Sequence, residues 1–266
     1  MARRSAVLLL SSGRHPVSGR TRAADCDARA LRMALRLQAE GWTLSAIHAG
    51  RPDDAALGQY LGMGLPSITV LGPMSEQDDA VPALMDAVSA RTPILVLCGQ
   101  TAEAGEGSGM MPYLLAQGLG APVIDNVADI VCGGTAISVL QAEPAGRRRR
   151  YSLEGPAVLA VGSLAPAPPP FAYGRMRRGV IELERRSAEP DRDRAGWEVM
   201  PRRPRPARLR PAQTSATVPG KRALTDITPE AAALEIINFL KGINVLKDVA
   251  AFDGESRQAE AQEAHG

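Results

Sequence analysis

Over residues 6–118 the chain alternates short apolar runs with segments of helical periodicity, and this alternation constrains the fold more than any other feature. The first run, residues 6–10, is apolar at every position and ends at Ser11, Ser12 and Gly13. Such a run is typical of a strand buried on both faces. Further strands are predicted at 42–48, 67–71 and 93–98, and helices at 27–40, 53–62, 81–90 and 111–118. Because strands joined through helices run parallel, the order predicts an α/β fold, a parallel sheet with helices on both faces.

Beyond residue 122 the alternation of predicted strands and helices ends. Residues 135–141 and 151–161 have the pattern of strands, and Glu-Pro-Ala-Gly at 143–146 is typical of a hairpin turn. We therefore expect an antiparallel hairpin beside the parallel sheet. The arginines at 147–150 begin the second of these predicted strands, where a solvated edge is favoured over a phosphate-binding role.

Composition divides the chain into three predicted parts. Apolar residues make up 45% of the sequence and aromatic residues only 3%, so the core of the α/β domain at 1–188 must be built from Ala, Leu, Val and Ile. From Ala165 the sequence turns to Pro and Arg, which predicts an extended or partner-ordered segment and a linker at 189–222. Residues 223–266 are the predicted extended C-terminal arm, with an amphipathic helix at 228–247. That helix would pack on its own domain or on a partner subunit.

Several functional classes are disfavoured by the sequence. The formal net charge of +2 is too small to favour a nucleic-acid partner, and the three cysteines form no CxxC pair that would favour disulfides or zinc. Neither GxSxG nor HExxH occurs, and His48, at a predicted strand end, is favoured as a structural or rim histidine over a catalytic base. No run approaches the roughly 18 apolar residues of a membrane span, and residues 6–10 are too short for the core of a secretion signal. We expect a cytoplasmic protein without membrane insertion, metal or catalytic residues.

The sequence GQTAEAGEGSG at residues 99–109 lies between an apolar run and a predicted helix. Its glycines at 105, 107 and 109 fit neither a Walker A loop nor a GxGxxG fingerprint. They can expose backbone N–H groups beside the Ser108 hydroxyl at a helix start, where an anion is favoured. Since the loop has no Lys or Arg, it favours a single phosphate held by amides over a triphosphate to be cleaved. A flexible strand-to-helix connection is the alternative.

Neighbouring strand ends carry small residues. Ser11, Ser12 and Gly13 end the first predicted strand, and Ala49 and Gly50 end the second. Parallel sheets bind ligands beyond their carboxyl edge, so these positions would leave room for a base or a ribose. The residues alone thus predict a nucleotide-binding α/β protein without visible catalytic equipment.

Three stretches, in order, carry a family resemblance: DCDARALRMALRLQAEG at 25–41, GQTAEAGEGSGMMPYLLAQGLGAPV at 99–123, and LEGPAVLAVGS at 153–163 with RMRRG at 175–179. Together they resemble the β subunit of electron transfer flavoprotein, over residues 6–182. The resemblance implies an adenine nucleotide α-hydrolase-like fold. It also implies a heterodimer in which an α subunit holds FAD and the β subunit holds a structural AMP. Such a heterodimer carries electrons from a flavin dehydrogenase to a quinone oxidoreductase.

Carried onto this chain, the resemblance implies fourteen AMP-binding positions. They are Ser11, Ala24, Asp25, Cys26, Asp27, Ala49, Gly50, Gly99, Gln100, Glu103, Gly105, Gly107, Ser108 and Gly109. The phosphate would lie near the last three. The family's Asn-Pro-Phe turn is replaced here by Ala24, Asp25 and Cys26, and its lysine after the first glycine of the loop by Gln100.

The resemblance also implies a segment that recognises the electron donor, at about 165–179. Its family signature, Asn-Glu-Pro-Arg, is replaced by a Pro-rich stretch, and Phe171 and Tyr173 are the nearest apolar candidates for the usual leucine anchor. Arg175, Arg177 and Arg178 would steer docking onto an acidic partner, or serve solubility.

Three functions are therefore weighed. The first is the electron-carrier subunit of a divergent family member, with an N-methyl-amine dehydrogenase such as a dimethylglycine demethylase as the expected donor. The second is a stand-alone adenine-nucleotide module of the universal-stress-protein type, which would bind nucleotide exchangeably. The third is an enzyme of the ATP-pyrophosphatase type, disfavoured because Ser11, Ser12 and Gly13 lead into Arg14 and His15 in place of a Ser-Gly-Gly-x-Asp-Ser loop.

Overall fold

The structure, a computed structural model, describes residues 4–15, 17–75, 77–105, 107–133, 136–192, 194–197 and 227–243. The chain divides into two units, Met1–Val199 and Met200–Gly266. Each unit is described by itself. Most of the predicted linker lies outside the described residues.

The first unit is organised around one large sheet. Its strands, with a separate small hairpin, are β1 Ser5–Leu10, β2 Ser12–Arg14, β3 Thr21–Ala23, β4 Thr43–Ala49, β5 Ser67–Gly72, β6 Leu95–Gly99, β7 Val123–Gly133, β8 Ala136–Ala142, β9 Arg148–Leu153, β10 Ala157–Val161 and β11 Val180–Arg185. The order in the nine-stranded sheet is β11-β5-β4-β1-β6-β10-β7-β8-β9, and β2 pairs with β3 alone. Neighbours from β11 to β7 are parallel, whereas β8 and β9 are antiparallel. The predicted α/β class is confirmed.

Helices cover both faces of the sheet. In the first unit the helices are α1 Asp25–Ala39, α2 Ala55–Met63, α3 Val81–Arg91, α4 Met111–Leu119 and α5 Tyr173–Arg178, whereas α6 Pro229–Gly242 belongs to the second unit. Side chains alternate along a strand, so Ala6, Leu8 and Leu10 of β1 pack with α1 and α2. Val7 and Leu9 pack on the opposite face with α3 and α4. This is the two-sided burial that the apolar first run predicts.

The strands at the β7 end of the large sheet differ from the sequence prediction. β7 was not predicted, because Asp125 and Asn126 interrupt its apolar pattern and Asn126 has φ of 47°. Residues 151–161 are not one strand: β9 ends at Leu153, and β10 begins at Ala157 and lies between β6 and β7. The break falls at Gly155 and the proline after it, which remove a side chain and a backbone donor. The hairpin of β8 and β9, with arginines opening β9, is confirmed.

The Pro- and Arg-rich segment is not wholly extended, which corrects the prediction made from its composition. An irregular stretch at 165–172 leads into α5, and β11 then pairs in parallel with β5. Gly58 and Gly62 of α2 have no side chains, so Met176 and the Phe171 ring lie directly on that helix. A Cβ placed at Gly62 would come within 2.2 Å of the ring.

The described part of the second unit is α6. Thr228 Oγ1 accepts a hydrogen bond from Ala231 N at 3.3 Å and Pro229 opens the helix, as the capping pattern predicts. Leu234 and Phe239 are among its exposed apolar side chains. The helix ends at Gly242, and residues 244–247 of the prediction lie outside the described residues. Within the described ranges, no helix is long and apolar enough to cross a membrane.

Candidate functional site

A pocket of about 730 Å³ opens at the carboxyl ends of β1, β4 and β6. This is the edge at which parallel sheets bind ligands. Ten of the predicted AMP-binding residues line it: Ser11, Asp27, Ala49, Gly50, Gly99, Gln100, Gly105, Gly107, Ser108 and Gly109.

The glycine-rich loop presents backbone donors to this pocket. Gly105, Gly107 and Gly109 have φ of 71°, 64° and 73°, the left-handed region that glycine adopts without strain. Within the described residues, no hydrogen bond has the N–H of Gly107, Ser108 or Gly109 as its donor. Ser108 Oγ accepts from Met110 N at 3.3 Å, just before α4 begins. Free amides and a helix N-terminus in one place favour an anion.

The N-terminus of α3 faces the same pocket, but two negatively charged residues precede this helix. Asp79 Oδ1 accepts from Val81 N at 2.9 Å, and Asp78 Oδ2 accepts from Ser75 N at 2.6 Å. Both carboxylates line the pocket. An anion is therefore attracted to the α4 side and repelled from the α3 side.

Asp27 joins the ends of two neighbouring strands beneath the loop. Its Oδ2 accepts from Ser11 N at 2.7 Å and from Ser11 Oγ at 2.5 Å, and its Oδ1 accepts from Gly99 N at 2.6 Å. Burial raises the pKa of Asp27 to about 6, although the donors at Ser11 and Gly99 act to lower it. The carboxylate thus fixes the start of the glycine-rich loop from α1.

The other four predicted residues lie beside the pocket and do not line it. Ala24 N donates to the Tyr60 hydroxyl at 2.8 Å. Asp25 N donates to Glu103 Oε1 at 2.8 Å, while Glu103 Oε2 pairs with an arginine of β3. Cys26 is half-buried, and burial raises the pKa of its thiol. The contact between Asp25 and Glu103 thus joins the loop to the start of α1, whereas Ala24 is bound to α2.

Ser12, His48 and Asp54 are among the pocket residues that were missing from the predicted site. Ser12 Oγ donates to Asp54 Oδ2 at 2.5 Å, and Asp54 Oδ1 accepts from Ala56 N at the start of α2. The buried His48 ring lies at the end of β4, with Nδ1 at 2.9 Å from Leu10 O. Their position after a predicted strand (Ser12), at the end of a strand (His48) and before a helix (Asp54) is the sequence signal that could have found them.

A strap formed by the described residues of 186–197 borders the pocket as well. Asp191 N donates to Gln77 O at 3.0 Å, which holds the strap along the loop before α3. Arg194 and Trp197 of the strap line the pocket, and the Trp197 side chain is half exposed. No sequence pattern predicted Arg194 or Trp197 at the site, because both fall within the predicted linker at 189–222.

The five predicted donor-recognition residues lie on the surface of the first unit, around α5. They are Phe171, Tyr173, Arg175, Arg177 and Arg178, and all are exposed. Phe171 is half exposed although one side of its ring covers Gly62. The ring is therefore held in place while the other side remains open to a partner.

Known proteins are similar to this chain in sequence. The family model described as the electron transfer flavoprotein domain matches residues 18–189. Electron transfer flavoprotein subunit beta of Chromohalobacter salexigens is 40% identical over 256 residues, which cover 91% of this chain and 95% of that protein.

Proposed function

Since this chain belongs to the electron transfer flavoprotein β-subunit family, we propose that it binds AMP as a structural ligand and pairs with an FAD-holding α subunit. The heterodimer would carry electrons from a flavin dehydrogenase to a quinone oxidoreductase of the respiratory chain. One observation carries the proposal for AMP: the free amides of Gly107, Ser108 and Gly109 at the start of α4.

The chemistry of the loop fits a phosphate that stays bound. Backbone amides hold an anion without supplying a proton or a nucleophile. Residues 99–109 contain no Lys or Arg that would neutralise a triphosphate in a transition state. On the rim, Arg51 is paired with Asp53 at 2.8 Å. These features support a ligand that is kept and not transformed.

The thiols at the site support an electron carrier over a covalent catalyst. Cys98 is buried at the end of β6, and burial raises the pKa of its thiol. The pKa of the Cys26 thiol is raised by burial and by the carboxylates of Asp25 and Asp27. A thiol that stays protonated is a poor nucleophile.

The surface around α5 is the proposed docking site for the donor. Phe171 and Tyr173 offer aromatic anchors, which are common at the centres of interfaces. Arg175, Arg177 and Arg178 add positive charge that would steer an acidic partner. An N-methyl-amine dehydrogenase, such as one acting on dimethylglycine, is our candidate donor class.

The test is to produce this chain alone and together with its α subunit, extract bound ligands with acid and quantify them. We expect one AMP per heterodimer and FAD only when the α subunit is present. A stable lone chain with exchangeable ATP would instead identify a universal-stress-protein-type module. A second FAD in place of AMP would contradict the proposal that AMP is the structural ligand.

Donor choice is tested separately, with the purified heterodimer as acceptor for a dimethylglycine dehydrogenase. We expect flavin reduction in the wild type and a slower rate in Phe171→Ala, with unchanged AMP content. Loss of AMP in that variant would show that Phe171 maintains the structure of the nucleotide pocket and would contradict its proposed role in docking.

A further inference from the structure

His48 is the buried polar side chain of the pocket that the proposed function leaves unused. The residue is 4% exposed, and it lines the pocket at the end of β4. Nδ1 lies 2.9 Å from the carbonyl oxygen of Leu10, which can only accept a hydrogen bond. Nδ1 therefore carries the proton and donates to Leu10.

This contact leaves Nε2 as a hydrogen-bond acceptor. Burial lowers the pKa of His48, so the ring is neutral at pH 7 and Nε2 has a lone pair. Among the described residues, none donates to Nε2. Since His48 lines the pocket, a ligand bound there can donate a hydrogen bond to Nε2.

Gly50 keeps that nitrogen accessible. A Cβ at position 50 would lie 2.4 Å from Nε2, so any side chain there would cover the acceptor or displace the ring. From the sequence, Gly50 was expected to leave room for a base or a ribose. In the structure it leaves space in front of one acceptor atom, Nε2 of His48.

The sheet order places this acceptor at a useful distance from the phosphate cradle. β6 carries the glycine-rich loop, β1 is its neighbour and β4 lies next beyond. Two strand spacings amount to roughly 10 Å, comparable to the reach of a nucleoside monophosphate from phosphate to base. The base then lies over β4, and the ribose over β1 beside Ser12 and Asp54.

We infer that His48 is a specificity-determining residue of the nucleotide site, whose Nε2 accepts a hydrogen bond from the 6-amino group of adenine. The inference rests on the proposed nucleotide function. A 6-oxo purine presents a carbonyl oxygen at that position, so two acceptors would face each other. His48 therefore selects adenine over hypoxanthine and guanine.

A competition between nucleotides tests this inference directly. The heterodimer is denatured, refolded with equal concentrations of AMP and IMP, separated from free nucleotide and extracted with acid. We expect the wild type to retain AMP over IMP by roughly 10- to 100-fold, the effect of one unsatisfied buried acceptor. A wild-type ratio near one, with both nucleotides retained, overturns the inference and leaves the nucleotide function standing. A wild type that retains neither nucleotide overturns both.

The variant for the test is His48→Asn. Its amide nitrogen can donate to Leu10 O as Nδ1 does, but it has no atom at the position of Nε2. We expect its AMP-to-IMP ratio to fall to within about threefold of one. His15→Ala is the matched control, because His15 is exposed and its Nδ1 accepts from the neighbouring Val17 N and Ser18 N. It should keep the wild-type ratio.

A second competition, between AMP and 2′-deoxyAMP, separates the base from the ribose. We expect the same ratio in the wild type and in His48→Asn. If His48→Asn changes this ratio and leaves the AMP-to-IMP ratio intact, Nε2 binds a ribose hydroxyl and the inference is wrong.

Discussion

Two helix N-termini face one pocket, and only one of them is suited to an anion. At α4 the preceding residues are the glycines of the loop and the neutral hydroxyl of Ser108, and the amides are free. At α3 the preceding residues include Asp78 and Asp79, and the Asp79 carboxylate already accepts a hydrogen bond from the N–H of Val81. Both helices have the same dipole, so the side chains that precede each helix decide where a phosphate binds.

The largest effect should come from making α4 resemble α3. Ser108→Asp keeps a side chain that can cap the helix but adds a carboxylate where the phosphate would lie. We expect AMP affinity to fall by at least about 100-fold, because the added carboxylate would lie beside the phosphate and like charges repel each other. Ligand content after acid extraction measures the loss, and Ser108→Asn is the neutral control. Equal AMP content in Ser108→Asp and the wild type would place the phosphate elsewhere.

The free amides also depend on Asp27, which anchors the start of the loop. Because burial raises its pKa from 3.8 to about 6, the native state binds more protons than the unfolded state between these values. The contribution of Asp27 to stability is therefore present below pH 4 and is lost as the pH rises through 6. This difference corresponds to roughly 3 kcal/mol.

Denaturant unfolding at pH 4.5 and pH 7.5 measures this effect, with Asp27→Asn as the reference. We expect the variant to lack the part of the pH dependence that Asp27 supplies. If wild type and variant show parallel pH profiles, Asp27 does not titrate in this range. Asp27→Asn should also weaken the loop, since an amide offers one acceptor to Ser11 and Gly99 where the carboxylate offers two.

A moderate effect should separate backbone strain from crowding within the loop. Gly105 and Gly109 share nearly the same φ, but a Cβ at 109 would lie 3.0 Å from Thr101 Cγ2 and 3.1 Å from Gln100 O, whereas a Cβ at 105 meets nothing within 4 Å. Each alanine should cost about 1–2 kcal/mol of loop strain. We expect Gly109→Ala to lose AMP about 10-fold more than Gly105→Ala, by competition refolding with labelled AMP. Similar losses would mean that crowding at 109 is relieved by the Thr101 side chain.

The smallest effect should come from the reverse exchange, making α3 resemble α4. Asp79→Ser keeps a hydroxyl that can accept from Val81 N and removes one negative charge from the pocket. We expect AMP affinity to rise by no more than about threefold, because the α3 side still lacks a glycine cradle. Isothermal titration of the refolded heterodimer measures the change. A tenfold gain would show that Asp79 limits binding, and that the two N-termini compete for the phosphate.

The sequence predicted much of the fold because its signals are local. The apolar run of β1 and its alternation with α1, β4 and α2 require only neighbouring residues, and those elements lie within two residues of their predicted bounds. Local signals did not predict β10 as a separate strand. The break at Gly155 and Pro156 lies within an apolar stretch, and neighbouring residues do not indicate which strands the residues after the break will pair with. Composition misled for α5, because its packing surface is formed by Gly58 and Gly62 on another helix.

For the site, the sequence by itself determined that the ligand edge lies at the carboxyl ends of parallel strands and that the loop at 99–109 offers amides without a cation. Only the tertiary structure decided which side chains complete it. Asp27 reaches Gly99 across 72 positions of sequence, and His48 reaches Leu10 across 38. Periodicity fixes which face of an element a residue occupies. Partners so distant in the chain are set by strand order and helix packing, and these decide which acceptors are satisfied by the protein and which face the pocket.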